Sequence, residues 1–95
     1  MYFVTCMERK PTYSDDGGDF RTFGYYPTLW EAERALQENR LDMHEYRYIY
    51  AVIELIEQGI HPDAQAVAWF KYDSPSRSFV RTTIEELPFT NFALG

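Results

Sequence analysis

Residues 46–57 read YRYIYAVIELIE, and the fold turns on whether this stretch is a strand or a helix. As a helix, Asp42 caps the start and Glu45 completes a D-x-x-E box. Ile49, Val52, Ile53 and Ile56 then form a stripe, and Gly59 stops the run. As a strand, Arg47, Ile49, Ala51, Ile53 and Leu55 take one face. Tyr46, Tyr48, Tyr50, Val52, Glu54 and Ile56 take the other. Residues 46–53 are almost wholly Tyr, Ile and Val. These side chains lose rotamer freedom in a helix and pack well on a pleated surface. The helix also leaves Tyr48 and Leu55 off its stripe. We therefore read a strand, with a core face of Ile49, Ala51, Ile53 and Leu55 and a tyrosine face opposite.

The flanking chain supplies the elements this strand pairs with. Tyr2 to Glu8 alternates with both faces apolar, which fits a central strand. Lys10 to Gly18, KPTYSDDGG, is rich in breakers and reads as a hairpin loop. Asp19 to Tyr25 forms the second arm, with Arg21, Phe23 and Tyr25 on one face. Thr28 then caps a helix and Glu31 completes a capping box. Leu29, Ala32, Ala35 and Leu36 make its buried stripe, and Asn39 suits a left-handed end. Trp30 points about 150° away from that stripe, so it is either exposed or tucked against the preceding loop. GIHPD at 59–63 reads as a turn. Val67 to Asp73 follows as a strand, with Val67 and Trp69 on one face and Ala68, Phe70 and Tyr72 on the other. Pro75 places a reverse turn in SPSR, and Ser78 to Thr83 returns as a hairpin arm. The order is β-β-α-β-β-β. It predicts a single α+β domain over residues 1–95, an antiparallel sheet of about five strands with one helix on one face.

Composition bounds the function. The chain has 95 residues, enough for one modest core. Its net charge of -6 argues against direct binding to nucleic acid or an anionic membrane, since both need a basic patch. The same charge suits a basic partner, including the groove of a nucleic-acid enzyme. Cys6 is the sole cysteine, so no internal disulfide forms and a reducing compartment is expected. MYFVTCMERK lacks a basic run ahead of an apolar one, and no apolar stretch reaches the ~20 residues of a membrane span. The expected location is cytoplasmic.

Catalytic chemistry finds little footing. His44 and His61 lie far apart in sequence and away from Cys6, with no metal-ligand spacing. Cys6 falls within a predicted central strand, where a cysteine behaves as a small inert hydrophobe. Asp15, Asp16 and Asp19 in SDDGGD lack the alternating spacing and closing glutamate of a calcium loop. DDGGD also lacks the lysine and following helix of a phosphate loop. No enzyme, metal or cofactor is expected.

The aromatic residues are the better candidates, at 18% of the chain. Tyr46, Tyr48 and Tyr50, with Trp30, offer large contact area at low entropic cost. Glu45, Glu54 and Glu57 would form an acidic rim. The structural alternative is that the tyrosine face packs against Phe89 and Phe92 of the C-terminal tail or against a second copy. FGYYPTLWEAERAL, YRYIYAVIELIEQGIHP, WFKYD and NFALG together resemble short acidic proteins of bacterial phages and mobile elements, a group with no assigned activity. That resemblance implies a protein-binding inhibitor of host defence, anti-CRISPR proteins among them. Two other readings stay open. One is a nucleotide-like ligand held by Trp30, Tyr25 and Trp69 between helix and sheet, with a nearby cation from Arg21, Arg34, Arg47 or Lys71. The other is a homodimer joined through the tyrosine face.

Overall fold

In the computed structural model, which describes residues 1–40, 47–59, 62–84 and 90–94, the deciding stretch is a strand. It runs Tyr50–Ile56 and is β3. Before it come β1 (Tyr2–Met7), β2 (Phe20–Tyr26) and helix α1 (Leu29–Gln37). After it come β4 (Ala64–Asp73) and β5 (Ser78–Thr82). The strands form one antiparallel sheet in the order β2-β1-β3-β4-β5, so β3 lies at its centre. The helix packs on one face, in contact with β1, β2, β3 and β5. This is the α+β arrangement the sequence predicts.

Local chemistry sets the helix. Thr28 is extended and its hydroxyl oxygen accepts the Glu31 N–H at 3.2 Å. Ala32, Ala35 and Leu36 are buried, so the predicted stripe faces the sheet. Asn39 sits at φ 46 just beyond the helix and donates its N–H to the Leu36 carbonyl at 3.0 Å. Arg81 of β5 forms an ion pair with Glu33 of the helix.

Under the helix lie Val4, Cys6, Ala51, Ile53, Ala68, Phe70 and Phe79. Alanines at positions 32, 35, 51 and 68 keep the layers close, and Phe70 and Phe79 fill the space between them. Burial pushes the Cys6 thiol up from its ordinary 9.0 to about 12. The thiol is therefore protonated at neutral pH, and Cys6 acts as a core side chain.

Two bulges move residues from their predicted faces. Between Val4 and Thr5 the β1–β2 register slips at Phe23, and between Ile53 and Glu54 the β3–β4 register slips at Val67. An extra residue in one strand reverses the alternation beyond it. Phe23 thus joins the helix-side core with Arg21 stacked on it at 5.2 Å. Tyr25 instead meets Phe3 on the far face at 5.1 Å. Val67 packs on the helix-side core, whereas Trp69 belongs to the far face.

The predicted hairpin loop between β1 and β2 is tied internally. Asp15 pairs with Arg9 at 2.9 Å, and its Oδ1 accepts the N–H groups of Gly17 and Gly18. Gly18 is at φ 75, a left-handed conformation that favours glycine. The bond from Arg9, and then that from Gly17, holds the Asp15 carboxyl below the usual carboxylate range. A lowered pKa stabilises the loop above the ordinary aspartate range, and that contribution is lost as pH falls through the lowered value.

Three outcomes are expected. Phe70→Ala lowers unfolding free energy by about 3–5 kcal/mol in urea titrations. Cys6 reacts with a thiol reagent at pH ~8 only after unfolding. The Gly17 and Gly18 amide shifts titrate together at a pH below that of ordinary aspartates, as read by NMR.

Candidate functional site

The far face of the sheet is not an open tyrosine surface. Met7 and Val52 form its floor, with Phe20, Tyr50, Ala66 and Trp69 around them. Phe92 from the C-terminal tail lies on this floor. Its ring meets Phe20 at 5.9 Å and Trp69 at 5.7 Å, both nearly perpendicular. Beside it, Glu54 is 0% exposed. Its two carboxyl oxygens accept the backbone N–H groups of Phe92 at 3.0 Å and Ala93 at 2.9 Å. Of the tyrosine face expected to pack against Phe89 and Phe92, Tyr50 alone among the described residues is placed with Phe92; Phe89 lies outside the described residues. Thr5, also buried on this face, shares a hydroxyl–hydroxyl hydrogen bond with Thr22 at 2.8 Å.

The predicted platform residues separate. Tyr46 and Glu45 lie outside the described residues. Tyr48 is 7% exposed and belongs to the helix-side core, edge-on to Phe23 at 5.7 Å. The strand begins only at Tyr50, so the alternation assumed across residues 47–49 does not hold, and Ile49 is the exposed neighbour. Arg47, in ion pairs with Asp19 and Glu8, fastens this lead-in segment to the β1–β2 hairpin. Tyr50 is on the far face as expected, half-buried, with the Lys71 ammonium 5.7 Å from its ring. Glu54 is a buried anchor for the tail and not a rim residue. Glu57 is exposed at the end of β3. There it lines a shallow groove of about 320 Å³ with Leu55, Pro62 and Asp63.

Trp30 stands on the solvent side of α1 and is 64% exposed. Arg34, one turn on, places its guanidinium carbon 4.9 Å from the Trp30 ring centre. Glu38, a further turn on, holds Arg34 at 2.6 Å and Arg40 at 3.0 Å. The row is built by i, i+4 spacing on one helix face. Glu38 is held below the usual carboxylate range, first by its bond from Arg34 and then by that from Arg40. Arg34 is thus fixed from one side and covers the indole from the other. The i, i+4 interval of tryptophan, arginine and glutamate is visible in the sequence, where Trp30 and Arg34 stand as candidates for aromatic and cationic contacts and Glu38 as a solvated residue of the helix.

These positions bear on each chemistry. Trp30 points to solvent, and Tyr25 and Trp69 lie on the opposite face of the sheet, so the three do not line a pocket between helix and sheet. Cys6 is buried and protonated. His44 and His61 are outside the described residues, among which no group of three metal-ligating side chains occurs. Among the described residues no helix is long and apolar enough to cross a membrane. Comparison with protein-family models, curated proteins and solved structures finds no match to the chain.

Two substitutions separate surface from core. Trp30→Ala lowers stability by no more than about 1 kcal/mol, the size of a partly exposed cation–π contact. Tyr48→Ala costs about 3 kcal/mol because it empties a packed ring site. Chemical denaturation of both variants reads the difference.

Proposed function

We propose that the chain is a small non-enzymatic protein-binding module that docks on a basic surface of a partner protein through the Trp30 face of α1. The observation that carries this reading is a tryptophan 64% exposed with the Arg34 guanidinium stacked 4.9 Å over its ring. Exposed large aromatics dominate binding energy at protein interfaces. A tryptophan has only two side-chain torsions to order on binding, so its entropic cost is low. A monomer gains little from leaving such a ring in water.

Charge supports the kind of partner. The chain carries a net charge of -6. Asp16, Glu57 and Asp63 form no ion pair with a described residue, so their charge remains available for long-range attraction. Such fields speed encounter with a basic groove more than they tighten the final complex. With the resemblance to phage and mobile-element proteins, the reading becomes an accessory or anti-defence protein. It would act in the cytoplasm on a nucleic-acid enzyme, as anti-CRISPR proteins do. Its own acidity disfavours direct contact with nucleic acid or anionic lipid.

The test is titration against a panel of guide-loaded CRISPR nucleases. Binding should weaken about 30-fold or more with Trp30→Ala, the size of a hot-spot loss. Glu57→Lys should slow association and flatten its salt dependence. A complex indifferent to both changes removes this surface. No complex with any nuclease removes the anti-CRISPR part and leaves the surface to be tested on other basic proteins.

A further inference from the structure

The contact between tail and sheet has the form of a ligand in a site. Phe92 fills a slot walled by Phe20 and Trp69 at right angles and floored by Met7 and Val52. Glu54, fully buried, takes the two successive backbone N–H groups of Phe92 and Ala93, one on each oxygen. The neighbouring tail residues Thr90, Asn91 and Leu94 are exposed. Among the described residues, one ring and two consecutive amides are the tail's recorded hold on the sheet.

A carboxyl is an expensive way to seal an apolar face. Burying it costs free energy that only well-placed donors offset. Among the described residues, the tail amides are its hydrogen-bond partners, and it has no ion pair. When the tail leaves, the carboxyl loses both donors and the slot loses its ring. The vacated site then favours any segment that restores both. The requirements are specific: an aromatic side chain and a free N–H on it and on the residue after it, which excludes proline at both places.

We propose that this slot is a peptide-binding site for a partner segment with an aromatic residue followed by any residue but proline, which the chain's own Phe92-Ala93 occupies in cis. The tail is the template for the ligand and its competitor. A short tether keeps the tail at an effective concentration of order millimolar, so a partner segment must bind more tightly than that to displace it. The inference rests on the far face of the sheet and is independent of the Trp30 surface.

The experiment uses the full-length chain and its Phe92→Ala variant, which empties the slot while keeping the tail. A fluorescein-labelled, C-terminally amidated peptide Thr-Asn-Phe-Ala-Leu is titrated by anisotropy, with Thr-Asn-Ala-Ala-Leu as control. The variant is expected to bind the first peptide about tenfold or more tightly than the control, and the intact chain to bind it about tenfold more weakly than the variant does, through cis competition. Glu54→Gln in the variant should weaken the peptide by about tenfold, because an amide NH₂ then faces one of the ligand's N–H groups. If the variant does not fold, the intact chain with millimolar peptide gives the answer by hydrogen exchange. Faster exchange at the Phe92 and Ala93 amides supports displacement, and unchanged exchange overturns it. Equal binding of both peptides also overturns the proposal. So does a stable dimer that the peptide cannot disrupt, which would assign the slot to tail exchange between copies.

Discussion

β3 is buried on both of its faces, and that condition shapes the rest of the molecule. Ala51 and Ile53 face the helix, while Val52 and Glu54 face the tail. A five-stranded sheet with one helix covers only one side, so a strand at its centre needs a second cover. The tail supplies part of it with a single ring. The two sides are built differently. On the helix side, alanines allow a close approach around Phe70 and Phe79. On the far side, Phe92 packs edge to face with Phe20 and Trp69, and a buried carboxyl holds its backbone.

Most of the architecture was legible because it rests on local signals. The capping box at Thr28, the left-handed Asn39, the turn at Ser74 to Arg77 and the alternation through Ala51 and Ile53 all act within a few residues. The errors have one physical origin. Face assignments assume an unbroken period of two, and that period breaks at Phe23, at Val67 and before Tyr50. A bulge is settled by pairing with a strand distant in sequence, so neighbouring residues carry little sign of it. Tyr48 changes sides because it precedes the start of β3 at Tyr50, and the continuous tyrosine face goes with it.

The candidate site divides along the same line. Trp30 was legible, because an aromatic residue off a helix stripe has few places to go but solvent. Its support by Arg34 follows from helix spacing alone. The burial of Glu54 had no such signal. A glutamate in an alternating strand reads as a rim residue, and what buries it is a tail with no periodicity of its own. Only the folded chain brings Glu54 beside the amides of Phe92 and Ala93.

The sheet order has a consequence for how the chain folds. β1, β2 and α1 contact one another locally, and β3, β4 and β5 form a continuous meander. The seam between β1 and β3 joins these two halves, pairing Tyr2 with Leu55 and Met7 with Tyr50 across a wide gap in sequence. Distant pairings form slowly because the chain must lose loop entropy before they stabilise anything. Folding is therefore slowed by the need for two locally formed halves to meet, along the β1–β3 seam and where α1 packs against β5.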